Sequence, residues 1–220
     1  LQTTHSLLTL TRDLARGRLS ASVADPHWHI PQPTFDAVAF LLKSINTDHL
    51  QQSLYGLAPK KPSYQLLKQT LTRYLEIAST QAAWTQLPDV ALIRPHTAHH
   101  IIPLIRKRIA EAYTVDRLAE YNMSQNNSNK YDKELVAAIK VFQTQHGLNA
   151  DGLIGKNTLQ ALNTPLSWKI RQLRINMERL RWLPRILGER YLLVNIAGFR
   201  LTAVEHGEHV LNMRIIVGRD

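Results

Sequence analysis

Side chains able to bind a polar ligand through hydrogen bonds gather around one stretch in the second half of the sequence. Amide, imidazole, carboxyl and hydroxyl groups lie at the end of a predicted helix, in the turn after it and at the start of the next helix. We expect an aromatic ring to pack beneath them. With an arginine from an earlier helix, the set is Arg106, Phe142, Gln143, His146, Asp151, Asn157 and Thr158. Such groups recognise a ligand without covalent chemistry, although turn formation is the favoured explanation for Asp151.

Two groups of histidines raise the alternative of a zinc site. His96, His99 and His100 lie close together, as do His27 and His29. However, no Asp or Glu stands in metal-ligand register with them, and the sequence contains no His-Glu-x-x-His motif. We therefore interpret them as surface or helix-start histidines and expect no metal and no cofactor. A stoichiometric zinc signal from the purified protein would contradict this interpretation.

The sequence contains no motif for covalent catalysis. The 220 residues include no cysteine, which excludes a cysteine nucleophile, a disulfide framework and a zinc–cysteine site. A Gly-x-Ser-x-Gly nucleophile turn is also absent. We therefore expect no catalytic residue among these positions.

Basic residues outnumber acidic ones and are concentrated beyond the predicted site. The formal net charge is +10, with ten further histidines. A basic surface attracts polyanions such as nucleic acid, anionic lipid or a carboxylate-bearing polymer. The cluster consists of Lys169, Arg171, Arg174, Arg179, Arg181, Arg185 and Arg190. A solvated helix face explains this cluster without any ligand.

One alternative is therefore a non-catalytic protein that binds nucleic acid or another polyanion through the helix predicted over 166–182. The charge fits, and Trp168 and Trp182 could stack on bases. However, the arginines lie beside an apolar seam, and no nucleic-acid-binding motif is present. We expect no nucleic-acid partner; tight, salt-sensitive DNA binding would favour the alternative.

The elements that position the predicted site are two helices joined by a tight turn. Asp132 is placed to cap the first helix, and Gly147 stands where a helix needs a left-handed terminal residue. Asp151-Gly152 is a turn pair, and Gly155 lets the second helix start close to its neighbour. The apolar residues recurring at helical spacing are Leu135, Ala138, Ile139, Phe142, Leu159 and Leu162.

The chain before this site is predicted to be helical. The first helix ends at Gly17, Thr34 and Thr47 are predicted to cap the next two, and Ser63 opens a longer one. Further helices are predicted over 98–112 and 114–121, followed by a polar, mobile loop over 123–130.

Beyond the site, Thr164-Pro165 begins a helix of about 17 residues that Pro184 ends. The hydrophobic period then changes to two, which predicts strands over 191–197, 199–205 and 208–217. Ala197-Gly198 and His206-Gly207 stand at the two hairpin turns. The predicted fold class is mainly α with a small C-terminal β-meander. Because three strands alone are marginally stable, we expect them to begin a longer sheet.

Several of these motifs resemble known cell-wall proteins. The run from Phe142-Gln143-x-x-His146-Gly147-Leu148 to Asp151-Gly152-Leu153-Ile154-Gly155 resembles the three-helix peptidoglycan-binding module of bacteria. In order along the chain, other motifs are similar to the large periplasmic L,D-transpeptidases: Asp13-Leu14-Ala15-Arg16-Gly17, Leu54-Tyr55-Gly56-Leu57-Ala58-Pro59, Asn176-Met177-Glu178-Arg179-Leu180-Arg181-Trp182-Leu183-Pro184 and Val194-Asn195-Ile196. The resemblance implies a helical scaffold domain over 1–95, a peptidoglycan-binding-like domain over 96–164, and a linking helix with the first catalytic strands over 165–220.

The resemblance also implies a function for the parent protein, which is cross-linking of the cell wall. In that family a cysteine attacks the donor peptide, and an amine acceptor resolves the thioester. Since this sequence has no cysteine, we expect it to be inactive alone and to supply the scaffold and peptidoglycan-binding roles. The implied partner is peptidoglycan, with sugar or stem peptide at the predicted site, and the implied location is the periplasm or cell envelope. We expect membrane contact only through an N-terminal anchor outside the sequence, because no signal peptide or spanning apolar run is present.

Overall fold

The computed structural model describes residues 2–80, 84–116, 127–196 and 198–218. Helices dominate, and a three-stranded antiparallel meander follows them, which confirms the predicted fold class. The chain divides into two compact units, one comprising residues 1–64 with 176–220 and the other residues 65–175. The elements are α1 (Gln2–Arg16), α2 (Ala21–Ala24), α3 (Ala37–Asn46), α4 (Leu50–Leu57), α5 (Pro62–Ser79), α6 (Ile102–Asp116), α7 (Lys133–Gln145), α8 (Lys156–Leu162), α9 (Leu166–Trp182), β1 (Arg190–Asn195), β2 (Arg200–Glu205) and β3 (Glu208–Arg214).

The core of the unit 65–175 is formed by α6, α7 and α8. Each helix buries residues three or four positions apart, as an amphipathic helix does when one face meets its neighbours. The buried side chains are Ile102, Ile105 and Ile109 on α6, Leu135, Ala138, Ile139 and Phe142 on α7, and Leu159 and Leu162 on α8. This core holds the helix–turn–helix that carries most of the predicted site.

An extended segment before α6 completes the same core. Ile93 and Ile154 exchange two backbone hydrogen bonds of 3.1 Å each. The Asn163 side-chain amide pairs with Leu87, accepting from its N–H at 2.9 Å and donating to its carbonyl at 2.8 Å. Leu87 and Ile93 are both buried in the core, although the predicted boundary at residue 95 leaves them in the preceding domain.

Two predicted helix caps are wrong, because a neighbouring residue is better placed. The helix predicted to start at Thr34 is α3, and its cap is Asp36, which accepts hydrogen bonds of 3.0 Å from the N–H groups of Val38 and Ala39. Thr47 ends α3 instead of beginning α4, and its hydroxyl donates to the Lys43 carbonyl at 3.0 Å. His49 stands at the start of α4 and makes no capping side-chain hydrogen bond.

The helix predicted over 98–112 lies four residues later, at α6. Ala98 forms a β-bridge with Lys130, and the His99 N–H donates to the Asn129 carbonyl at 2.9 Å. This pairing keeps residues 98 and 99 extended, so the helix begins only at Ile102. Part of the predicted helix 114–121 is the end of α6. Residues 117–121 of that helix, and residues 123–126 of the predicted polar loop, lie outside the described residues.

The meander has strand order β1-β2-β3 and confirms the three predicted strands, which start within one residue of the predicted positions, while β1 and β3 end two or three residues earlier. His206 and Gly207 have φ values of 51° and 86°, as a tight hairpin turn between twisted strands requires. The other predicted turn includes Ala197, which lies outside the described residues. The register places six apolar side chains on one face of the sheet, namely Leu192, Val194, Leu201, Ala203, Leu211 and Met213. None of the six is buried.

Candidate ligand-binding surface

Gln143 organises the turn between α7 and α8 from inside the protein. Its side chain is only 2% exposed. The side-chain carbonyl accepts from the Gly152 N–H at 2.9 Å, and the amide nitrogen donates to the Leu153 carbonyl at 2.9 Å. The same nitrogen lies 3.2 Å from both the Asp151 carboxylate and the Thr158 hydroxyl. Gln143 therefore fixes the shape of the turn, and its polar atoms are engaged within the protein.

The turn itself follows the sequence prediction. The Asp151 carboxylate accepts from the Leu153 N–H at 2.8 Å, and Gly152 has a φ of +77° that favours glycine. The buried Thr158 hydroxyl donates to the Leu153 carbonyl at 3.1 Å. Thr158 thus holds the turn from the α8 side, while the Asp151 side chain remains exposed to solvent.

Beneath the turn lies Tyr131, which is fully buried. Its hydroxyl donates to the Gly152 carbonyl at 2.6 Å. Burial, together with the nearby negative charge of Asp151, raises the pKa of the Tyr131 phenol well above its usual value. Tyr131 therefore stays neutral at physiological pH and acts as a hydrogen-bond donor to the turn.

Arg106 lies in the interior, where it supports α7. Its side chain is 3% exposed and forms an ion pair of 2.8 Å with Asp132, the residue that caps α7 through the Leu135 N–H at 2.9 Å. Partial burial alone would raise the pKa of Asp132. The hydrogen bonds from Leu135 and Arg106, with the positive charge of Arg106, instead hold it below its usual value. The predicted cap is confirmed, and Arg106 is placed away from the turn surface.

His146 also turns inward, onto the ring of Phe142. The two rings stack with centroids 3.9 Å apart. The His146 Nδ1 lies 2.8 Å from the Phe142 carbonyl, so this nitrogen carries the proton. The Nε2 atom lies 3.4 Å from the Lys169 ammonium and accepts from it. This arrangement orients the imidazole toward the start of α9.

A groove of about 280 Å³ runs beside the turn. It is lined by Leu92, Gln143, Leu148, Asn149, Asp151, Leu153, Gly155, Lys156, Asn157 and Thr158, and we call it the turn groove. Four residues of the predicted site meet here, namely Gln143, Asp151, Asn157 and Thr158. Arg106, Phe142 and His146 do not line it. Of the four, Asp151 and Asn157 have exposed side chains.

A larger groove of about 820 Å³ adjoins it between α8 and the start of α9. Its lining, which defines the α8–α9 groove, is Asp89, Leu148, Lys156, Asn157, Gln160, Ala161, Asn163, Thr164, Pro165 and Trp168. Leu148, Lys156 and Asn157 line both grooves. The sequence prediction of the site omitted Lys156, Gln160 and Trp168. The sequence contains one signal for this groove: Trp168 lies in the first turn of a helix but outside the apolar stripe of that helix.

Two of the histidines that raised the zinc alternative have other side-chain contacts. The His99 and His100 rings stack with centroids 4.4 Å apart, and the His99 Nδ1 accepts from the Ile101 N–H at 3.4 Å. Over the described ranges of the chain, no three His, Asp or Glu side chains come together as a metal site requires.

Comparison with protein families matches two parts of the chain. Residues 1–71 match the family described as "Scaffold domain", and residues 116–162 match the family described as "Putative peptidoglycan binding domain". No curated protein matches the chain. The second match includes α7, the turn and α8, and therefore every residue that lines the turn groove except Leu92. Within the described part of the chain, no helix has both the length and the apolar composition needed to cross a bilayer. The match supports a cell-wall binding role with peptidoglycan as the partner.

Proposed function

We propose that this chain is the scaffold and peptidoglycan-binding part of a periplasmic L,D-transpeptidase. Two matched regions, scaffold first and peptidoglycan-binding second, stand in the order that this architecture requires. The motif Asn176–Pro184 and the strands after it follow in the same order. The proposed domains are 1–95, 96–164 and 165–220.

The single observation that carries the binding role is the turn groove, whose lining belongs to the matched region except for Leu92. Of its exposed polar side chains, Asp151 stands on a turn that Gln143 and Thr158 hold through hydrogen bonds, and Asn157 stands in the first turn of α8. Binding to a fixed surface loses less conformational entropy than binding to a mobile one. Lys156 adds a positive charge beside Asn157, which suits the carboxylates of peptidoglycan stem peptides.

In this proposal, transpeptidation itself belongs to residues outside the sequence. The described reaction needs a thiolate with a nearby histidine, and the 220 residues contain no cysteine. The chain would place the catalytic domain near its substrate, because a bound module raises the effective concentration of a linked one.

Co-sedimentation with isolated sacculi tests the binding role. We expect the 220-residue chain to pellet with sacculi at moderate salt, and Asn157→Ala to weaken this. Gln145→Ala, an exposed residue at the end of α7, is the control and should bind normally. A chain that stays in the supernatant while binding DNA tightly in a salt-sensitive manner would instead favour the polyanion-binding alternative.

The transpeptidase part has a separate test in the gene. We expect the reading frame beyond Asp220 to encode a cysteine and a histidine in one catalytic site. A frame without them would contradict the transpeptidase assignment and leave the binding role in place.

A further inference from the structure

Trp168 is a large aromatic side chain left half in solvent. It is 53% exposed and lies in the α8–α9 groove. Leu166, Ile170 and Leu173 form the inner face of the start of α9, where they pack with Tyr74 of α5. At 100° per residue, position 168 lies on the opposite side of the helix. The indole therefore lies outside the packed face of α9, and its exposed part is available to an external partner.

The facing surface of α8 carries hydrogen-bonding capacity that the protein does not use. Thr158, Leu159 and Leu162 form its buried face. Lys156, Asn157 and Gln160 lie on the other face and are exposed. Across the part of the chain that the structure describes, the side chains of these three residues make no hydrogen bond to protein. An amide provides two donors and an oxygen acceptor, which suits hydroxyl and acetamido groups.

Hydrogen bonds hold the backbone at the end of α8 and at the start of α9. Asn163 is held through both side-chain atoms by the Leu87 backbone. The backbone N–H of Trp168 donates to the Pro165 carbonyl at 3.1 Å, which anchors the first turn of α9. These contacts hold the end of α8 and the first turn of α9, the two backbone segments that carry the amides and the indole.

The composition of the groove distinguishes between ligand classes. Its volume of about 820 Å³ lies within the usual range for small-ligand sites. The lining contains one acidic residue, Asp89, and one basic residue, Lys156, so it favours neither a polyanion nor a polycation. A pyranose ring has a flat C–H face that stacks on an indole and a rim of hydroxyl groups that bond amides. Neutral N-acetylated sugars match this surface better than charged peptide or nucleic acid.

We propose that the α8–α9 groove is a glycan-strand subsite, in which a neutral N-acetylhexosamine ring stacks on Trp168 while Asn157 and Gln160 hydrogen-bond its polar groups. This inference rests on the proposed peptidoglycan-binding function and assigns the sugar to one part of the surface. The turn groove, joined to it through Lys156 and Asn157, is left for the adjacent part of the polymer.

Binding of a neutral chito-oligosaccharide to the 220-residue chain tests the subsite, because this ligand has sugars and no stem peptide. We expect saturable binding in calorimetry and a shift in tryptophan fluorescence that Trp168→Phe removes. Trp168→Ala should weaken binding about tenfold or more, which is the scale of aromatic stacking losses. Asn157→Ala with Gln160→Ala should weaken it similarly.

Ile175→Ala is the matched control, since Ile175 is 40% exposed on the same helix and does not line the groove. It should bind as the parent chain does, and all variants should keep the parent's circular dichroism and unfolding midpoint. If the chain pellets with sacculi but neither binds the oligosaccharide nor responds to Trp168→Ala, the subsite is wrong while the proposed function stands. If the chain binds neither sacculi nor oligosaccharide, both proposals fail.

Discussion

The carboxylate of Glu178 occupies the space that a side chain on Gly17 would need. A Cβ atom on Gly17 would lie 2.5 Å from Glu178 Oε1 and 3.0 Å from the Trp182 indole nitrogen. The same carboxylate oxygen accepts from the N–H groups of Arg18 at 2.5 Å and Leu19 at 3.0 Å. The contact joins two motifs found in the sequence, Asp13–Gly17 and Asn176–Pro184, and gives both a structural role. Glu178 therefore holds the backbone of the residues that follow α1.

Gly17→Ala should therefore destabilise the protein. Gly17 has a φ of +88°, and a methyl group there would also displace Glu178. We expect the free energy of unfolding to fall by about 2–3 kcal/mol, because left-handed strain adds to the lost hydrogen bonds. Urea unfolding of the 220-residue chain measures this loss. Gly56→Ala is the control, because Gly56 lies within α4 with open space around it. That variant should be neutral or stabilised by up to about 1 kcal/mol, and equal effects at both positions would contradict the argument.

Stability should fall in acid through Asp132. Its folded pKa is depressed, so the stability it contributes is present above the unfolded carboxyl pKa and is lost as pH falls through the folded value. Asp132→Asn keeps a capping oxygen but removes the charge that faces the buried Arg106. Because the Asp132 side chain is 35% exposed, solvent screens part of the effect. We expect unfolding free energy to drop between pH 7 and pH 3 by more in the parent than in Asp132→Asn; parallel pH profiles would refute this.

Gln143→Ala should loosen the turn between α7 and α8. The substitution leaves the Gly152 N–H and the Leu153 carbonyl without the partner that Gln143 supplies. We expect a loss of about 2–4 kcal/mol in unfolding free energy, because each unsatisfied buried group costs about 1–3 kcal/mol. Sacculus binding should weaken as well, since Asp151 loses its fixed position. Gln145→Ala, two residues later and exposed, should change neither measurement.

Asn163→Ala should release the segment before α6. Leu87 would lose both hydrogen bonds that Asn163 supplies to its backbone. We expect the Leu87 amide to exchange with solvent at least tenfold faster in a hydrogen-exchange experiment, which corresponds to about 1.4 kcal/mol. Asn157→Ala on the exposed face of α8 should leave that exchange rate unchanged. Unaltered protection of Leu87 in Asn163→Ala would show that the core alone holds the segment.

The sequence predicted the turn of the site correctly, but it did not predict which polar side chains of the site are exposed to solvent. Asp132, Gly147 and Asp151-Gly152 act as their types predict, because each rule concerns backbone within a few residues. Gln143 and Thr158 were predicted to meet a ligand through polar atoms. They reach the turn groove, but those atoms are engaged inside the turn.

What the sequence by itself determined is the order of helices, the turn chemistry, the final meander and the motifs that point to the cell wall. These features depend on periodicity and on backbone conformations set by single residues and their neighbours. Only the tertiary structure decided that Glu178 meets the chain after Gly17, that Asn163 holds Leu87, and that Trp168 faces a groove. Such pairs lie far apart along the chain, and burial depends on which surfaces pack together. A residue's type and spacing limit that choice without fixing it.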